Sequence, residues 1–179
     1  NSKLGMDRVS NTQRNQASDL HNLRAITGIN QSRSNRYFTN PLNDKTEAHT
    51  VGSEAFYPSD EHKGDVARIL FYMVIAYNFL NLTDDTTHLV NNSETNYTMA
   101  GAYQGELSIL LEWHKEDPVS DFELQRNEFI YSGIALDPSG KSIAPQGNRN
   151  PFIDNPEYAH LIFEDKTIQD ITRPIKEEP

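Results

Sequence analysis

One apolar segment, residues 64–80, sets the strongest constraint on how this chain folds. Its apolar side chains recur at helical spacing, at Val66, Ile69, Leu70, Met73, Tyr77 and Leu80. Much of the opposite side is apolar as well, through Phe71, Val74 and Ile75. A helix with so wide an apolar surface is stable only when other elements surround it. With Ser59 or Asp60 as its N-cap, the segment therefore predicts a central, buried helix.

Shorter helices are predicted downstream, where they would surround this one. The helical period returns with an apolar face of Leu107, Leu110, Leu111 and His114. A capping box formed by Ser120 and Glu123 opens the next helix, which Gly133 closes. Asn155-Pro156 begins a further short helix, with proline at its first position. Residues 59–163 are therefore predicted to form a mainly helical body.

The remaining segments show no sustained apolar period. Residues 1–18 are polar and predict a loop, and residues 37–58 predict irregular structure. Residues 81–104 are rich in Asn and Thr and predict a surface insertion, and residues 164–179 predict a charged tail. A chain of 179 residues is long enough for one domain with a sizeable core and short for two. The sequence thus favours a single domain over residues 1–179.

Several polar residues of this body have structural explanations. His114 shares the apolar face of its helix, which predicts a hydrogen-bonded core position. Gln146, Asn148 and Asn150 lie in a glycine-containing loop, where their amides would cap helix ends or tie the loop to residues 19–36. Arg68 lies near the start of the long helix. Two roles remain open for it, a contact in a functional site or an ion pair with an acidic residue of the body.

Composition excludes several classes of protein. The chain has no cysteine, so disulfides and thiolate zinc sites are absent from it. No apolar run approaches the roughly 18–20 residues of a membrane span, so no membrane partner is predicted. The net charge of -10 argues against a general nucleic-acid binder. Residues 1–50 nevertheless hold seven Lys or Arg against four Asp or Glu, so a basic region stands out from an acidic body.

The basic region also contains polar residues that are suited to binding a phosphate. Asp19 to Leu23 predicts a short strand, and Gly28 separates it from a polar helix that begins near Asn30. On a helix, Asn30 and Arg33 lie three residues apart and share a face. An amide oxygen beside a guanidinium suits a phosphate that a divalent cation and an arginine hold together. The alternative is that Asn30 is a helix cap.

The same residues carry a family resemblance. The run Asp19-Leu20-His21-Asn22-Leu23, followed by Asn30, Arg33, Ser34 and Asn35, resembles the core of the endonuclease I family of bacterial nucleases. Further motifs match in order: Lys63 to Arg68 leading to Phe71-Tyr72-Met73, Glu112-Trp113-His114 with Asp117-Pro118-Val119, Arg126-Asn127, and Gln146 to Asp154. The resemblance implies an α+β, mostly α fold built on a ββα-metal (His-Me finger) site. Residues 19–36 would be a partial finger, because the family's Glu-His-x-Trp-Pro-like first strand is not in this sequence.

We interpret Asn1-Ser2-Lys3-Leu4 as resembling the family's continuation after that motif, so that the chain begins just past the catalytic strand. Natural divergence that lost the motif is the alternative. The resemblance implies that Asn30 binds Mg²⁺, with Ca²⁺ or Mn²⁺ as other possible ions. His21 belongs to the second strand of the family's finger and is only a weak catalytic candidate. Phosphate contacts are expected from Arg24, Arg33 and Arg36, unless these pair with Asp19 or Asp44.

The function implied is that of a metal-dependent endonuclease without sequence specificity, acting on DNA, with RNA as a further candidate substrate. An extracellular or periplasmic location is implied with it. Without the family's general-base histidine, these 179 residues are expected to cleave poorly. Two other functions remain open, a catalytically inactive nucleic-acid-binding or interaction module and an acidic helical scaffold. Salt-dependent oligonucleotide binding would exclude the scaffold, and cleavage would exclude the inactive module.

Overall fold

The structure, a computed structural model, describes residues 6, 9–10, 12–25, 28, 33, 36–43, 46–91, 102–136 and 138–164. Its helices are α1 (Lys63–Ala76), α2 (Thr86–Asn91), α3 (Leu107–Glu116), α4 (Asp121–Ser132), α5 (Pro151–Asp154) and α6 (Tyr158–Phe163). Its strands are β1 (Tyr37–Phe38), β2 (His49–Val51), β3 (Ala55–Tyr57), β4 (Leu80–Asn81) and β5 (Ala102–Tyr103). A short 3₁₀ helix, Gln16–Ser18, lies within the segment predicted as a loop. The mixed, mostly helical fold class is therefore confirmed.

Helix α1 is the buried centre of the protein, as its apolar pattern predicted. Ala67, Phe71 and Met73 expose 1% of their surface or less. The helix is shorter than the predicted 64–80, because it begins at Lys63 and ends at Ala76. Its N-cap is His62, so the prediction of Ser59 or Asp60 at this position was wrong. Ser59, with a φ of 101°, starts a turn in which the His62 amide donates to the Ser59 carbonyl, and the helix follows that turn.

Three short strands form a sheet where irregular structure was predicted. The strand order is β1-β3-β2, with β1 parallel and β2 antiparallel to β3. All three residues of β3 are buried, so the strand lacks the alternation of apolar and polar residues by which half-buried strands are detected. The prediction for residues 37–58 was wrong because strands of two or three residues leave no period to read. A second, two-stranded sheet pairs β4, at the boundary between the predicted helix and the predicted insertion, with β5 near the end of that insertion.

The two helices after this insertion confirm the local signals in the sequence. Helix α3 carries His114, which is buried and lies 2.8 Å from the Pro156 carbonyl through Nε2. Helix α4 starts with the predicted capping box, in which Ser120 and Glu123 exchange hydrogen bonds. It ends at Gly133, whose φ of 68° favours glycine. None of the described helices combines the length and the apolar character needed to cross a membrane.

Two short helices complete the described chain. Asn150 caps α5, with Pro151 at the first helical position, so the Asn-Pro signal operates one helix earlier than predicted. The helix expected from Asn155-Pro156 begins at Tyr158. Residues 165–179, most of the predicted tail, lie outside the described residues.

Gly64 is where α1 and the end of α3 come closest. A Cβ atom there would lie 2.1 Å from the Asp117 carbonyl oxygen, and the Gly64 amide already donates to Asp117 Oδ2 at 2.8 Å. Gly64→Ala is therefore expected to lower the free energy of unfolding by about 2 kcal/mol, although alanine favours helices. Chemical denaturation measures the change. Gly28→Ala is the control, since no described atom lies within 4 Å of its Cβ position; equal stabilities of both variants would contradict the packing.

Candidate active site

The carboxylate of Asp19 is the centre of a hydrogen-bond network, and only 6% of the residue is exposed. Its Oδ1 accepts from the His21 amide at 2.8 Å and from Gln146 Nε2 at 2.9 Å. Its Oδ2 accepts from the hydroxyls of Tyr72 at 2.8 Å and Tyr77 at 2.9 Å. One carboxylate thus joins the N-terminal segment, the end of α1 and the loop before α5.

A second set of hydrogen bonds closes this network. Gln146 Oε1 accepts from the Leu20 amide at 2.8 Å, and Gln146 Nε2 also donates to Asn148 Oδ1 at 2.8 Å. Asn148 Nδ2 donates to the Tyr72 hydroxyl at 2.7 Å. The prediction that the loop amides tie their loop to the N-terminal segment is confirmed for Gln146. For Asn150, the alternative prediction of a helix cap is confirmed.

Residues 19–23 form a turn, so the predicted strand at this position is wrong. The Asn22 amide donates to the Asp19 carbonyl at 3.0 Å, and the Asp19 side chain accepts from the amide two residues on. Asp at the start of a segment favours such local bonds over strand pairing. The guanidinium of Arg126, on α4, then donates to the carbonyls of Leu20 and Leu23 and lies 3.4 Å from that of His21. The carbonyl groups that a strand would pair are thereby satisfied by one side chain.

His21 lies inside this turn with no exposed surface. Its ring centroid is 4.5 Å from that of Tyr72, and its Nε2 is 3.2 Å from the Asn148 carbonyl oxygen. Burial lowers its pKa below the usual range, so the ring is neutral at pH 7 and donates Nε2–H to that carbonyl. Nδ1 is buried without a hydrogen-bond partner among the described residues. His21 is therefore held inside the protein, and a catalytic role for it stays a prediction.

The three candidate phosphate-binding arginines occupy different surroundings. Arg24 pairs with Asp65 at 2.6 Å and lies over the ring of Phe122, 5.2 Å from its centroid. Arg33 is half-buried, with its guanidinium 4.8 Å from the centroid of the Phe38 ring. Arg36 is half-buried too, and its amide donates to the Arg33 carbonyl at 2.9 Å. Arg24 thus does pair with a carboxylate, but with neither of the two that the sequence suggested.

The predicted metal ligand, Asn30, lies outside the described residues, as do Asp44 and most of the predicted helix after Gly28. In the described part of the chain, no group of three or more His, Asp or Glu could hold a metal ion. The carboxylate of Asp19, the first residue of the motif at 19–23, already accepts four hydrogen bonds. The described residues therefore do not make up an Mg²⁺ site on their own, and the ion and the His-Me finger remain predictions.

Sequence reasoning missed the residues that organise this site. Tyr72, Tyr77 and Arg126 bond to this site from positions 53 to 106 residues away in the sequence. Tyr72 and Arg126 do stand within motifs of the family resemblance, which was the available signal. Their partners could not be read from it, because a motif does not show which side chain meets which.

The buried histidines make stability depend on pH. Burial lowers the pKa of both His21 and His114, so below a pH of about 6.5 the unfolded chain binds more protons than the folded one. The free energy of unfolding is therefore expected to fall as the pH drops from 7.5 to 5.5, by at most about 1.4 kcal/mol per pH unit for each histidine. Denaturation at both pH values measures this. His114→Gln keeps a donor for Pro156 and is expected to flatten the dependence; an unchanged slope would contradict it.

Comparison with known proteins places these contacts in a family. The model of the family described as Endonuclease I matches residues 7–157. An extracellular ribonuclease of Bacillus subtilis is 39% identical over 155 residues, which cover 85% of this chain and 49% of that protein. An extracellular ribonuclease of Bacillus amyloliquefaciens is 40% identical over 148 residues, covering 81% and 46%. The chain therefore spans about half the length of the curated relatives it matches.

No solved structure matches the chain. The family match nevertheless includes every residue of the Asp19 network, from Asp19 to Asn148, and the resemblance of the separate motifs is confirmed by it. The chain therefore belongs to the endonuclease I family of nucleases.

Proposed function

We propose that this chain is the nuclease region of a secreted, metal-dependent endonuclease that hydrolyses RNA and DNA with little sequence preference. The observation that carries the proposal is that three further family motifs meet at the motif that begins with Asp19. Tyr72 and Gln146 donate to the Asp19 carboxylate, and Arg126 donates to carbonyls of the turn that Asp19 begins. RNA is placed before DNA because both relatives are named extracellular ribonucleases.

The residues of the network act by positioning. Asp19 and Arg126 fix the two sides of the turn at residues 19–23, and Arg24 directly follows it. Arg24 also pairs with Asp65 at 2.6 Å, so a phosphate would share its guanidinium with that carboxylate. Because its backbone is fixed, Arg24 would lose little conformational freedom on binding the phosphate. Contacts of this kind address the backbone of the nucleic acid, which explains why little sequence preference is expected. We keep Mg²⁺ as the proposed ion and Asn30 as its proposed ligand.

Cleavage assays test the proposal. Labelled single-stranded RNA and supercoiled plasmid are incubated with the protein in Mg²⁺, in Mn²⁺, in Ca²⁺ and with a chelator. We expect weak cleavage that the chelator abolishes, and stronger cleavage by a protein with a Glu-His-x-Trp-Pro strand joined before Asn1. Asn30→Ala is expected to lose most of this activity, whereas Asn78→Ala, at an exposed position, retains it.

Two outcomes would contradict parts of this proposal. Cleavage that persists in excess chelator would exclude metal dependence. Salt-dependent oligonucleotide binding by both proteins, with cleavage by neither, would favour the inactive nucleic-acid-binding module.

A further inference from the structure

A cavity of about 790 Å³ opens beside the Asp19 network. Three segments line it: residues 10–20, the end of α1 and the loop at 144–148. Its volume lies in the range of about 300–1,000 Å³ that is usual for small-molecule sites. The Asp19 hydrogen bonds hold the three segments together, so the cavity is built by the same contacts as the candidate active site.

The inner wall of the cavity retains hydrogen-bonding capacity. Asp19 is saturated by its four donors and is nearly inaccessible, so it contributes little negative surface. Asn148 Nδ2 uses one of its two hydrogens on Tyr72, and the Tyr77 oxygen donates without accepting from any described residue. Gln13 is exposed and its side chain bonds no described residue. The cavity therefore presents at least one amide hydrogen, one phenolic acceptor and one complete amide.

Arg14 supplies the positive charge on this surface. It is exposed, it lines the cavity, and no described carboxylate lies within ion-pair distance of it. Arg24, Arg68 and Arg149 differ from it, since each pairs with an acidic side chain. In a chain with a net charge of -10, an arginine without an acidic partner beside an open cavity favours an anionic ligand.

We infer that this cavity binds one nucleotide unit of a single-stranded nucleic acid, with Arg14 on its phosphate and the amides of Gln13 and Asn148 on its base. The inference rests on the proposed function and names a subsite for its substrate. Pro145 and the Tyr77 ring provide the apolar surface against which a base packs. Only an unpaired base can enter, because the hydrogen-bonding edges of a duplex face inward.

Binding is measured in the presence of a chelator, so that no hydrolysis occurs. Adenosine and uridine 5′-monophosphates, the matching nucleosides and inorganic phosphate are titrated into the protein and followed by ¹⁵N NMR. We expect the nucleotides to bind about tenfold more tightly than either the nucleosides or phosphate, since only the nucleotides engage both halves of the cavity. The side-chain amide signals of Gln13 and Asn148 are expected to shift.

Arg14→Ala is expected to remove this tenfold preference for nucleotides over nucleosides, and Arg14→Lys to restore part of it. Lys115→Ala is the matched control, because it removes one positive charge from an exposed position outside the cavity. Equal affinities of the Arg14→Ala and Lys115→Ala proteins, or signal shifts confined to residues outside the cavity, would overturn the inference. Tighter binding of inorganic phosphate than of nucleotides would overturn it as well.

The binding and cleavage assays together show whether the subsite or the proposed function fails. Nucleotide binding that depends on Arg14, in a protein that cleaves nothing even with the added strand, would leave the subsite and remove the nuclease activity. Cleavage without nucleotide binding would support the nuclease activity and contradict the subsite.

Competition with oligonucleotides completes the test: a single strand is expected to displace the nucleotide, and a blunt duplex of the same length is not. Equal displacement by both would contradict entry of an unpaired base.

Discussion

Arg68→Ala is expected to lower the free energy of unfolding by about 3–5 kcal/mol. The Arg68 side chain is fully buried and pairs with both oxygens of Glu123, at 2.6 Å and 2.7 Å. It also donates to the Asp117 carbonyl at 2.8 Å. Truncation would leave the Glu123 carboxylate inside the protein without its counterion. Of the two roles that the sequence left open for Arg68, the structure shows the ion pair.

Chemical denaturation measures this loss, and a double-mutant cycle identifies its source. Arg149→Ala is the control, because Arg149 forms its ion pairs at the surface, where such a pair contributes about 1 kcal/mol or less. Arg68→Met combined with Glu123→Leu removes both charges and is expected to recover much of the stability that Arg68→Ala loses. A loss of less than about 1 kcal/mol for Arg68→Ala would show that the pair is not buried as described.

Asp19→Ala is expected to cost about 3 kcal/mol of stability and to abolish any cleavage that the chain performs. The hydroxyl of Tyr72 is buried and would lose its acceptor, and unsatisfied buried donors cost about 1–3 kcal/mol each. The turn at residues 19–23 would lose its fixed position beside Arg24. Glu112→Ala is the control, because Glu112 is exposed and its side chain bonds no described residue; equal effects of the two would contradict a special role for Asp19.

A spectroscopic measurement distinguishes the loss of the network from general destabilisation. Burial and the hydrogen bond to the Asp19 carboxylate together raise the pKa of Tyr77 to about 12. Asp19→Asn keeps the size of the side chain and removes its charge, so phenol ionisation followed by ultraviolet absorbance is expected to occur at lower pH. An unchanged titration would show that the carboxylate does not act on the tyrosines.

The parts of the fold that the sequence predicts are those with local causes. The apolar period identifies α1 and α3, the capping box of Ser120 and Glu123 identifies the start of α4, and Gly133 identifies its end. The strands of two or three residues escape prediction, because their pairing partners decide their conformation. Distant contacts also explain why the strand prediction for Asp19 to Leu23 is wrong. The turn found there depends on Arg126, more than 100 residues away in the sequence.

The candidate site, too, is only partly predictable from the sequence. The family motifs contain Tyr72, Arg126 and Gln146, so the sequence identifies the segments that contribute to the site. It does not show that these residues meet at the turn that begins with Asp19, since hydrogen bonds across 53 to 127 residues of sequence leave no local pattern. Asn148 and Gln146 were given structural roles in advance, and those roles now make them part of the site.

Glu123 has consequences for which substitutions this fold tolerates. The same carboxylate accepts the Ser120 amide at the start of α4 and both hydrogen bonds from Arg68 in α1. Glutamine would preserve the helix cap and leave Arg68 without its counterion, and aspartate is one methylene too short to span the same distance. The beginning of α4 and the centre of the core can therefore not change independently. A substitution of Glu123 therefore requires a simultaneous substitution of Arg68, so we expect the two positions to change together during evolution.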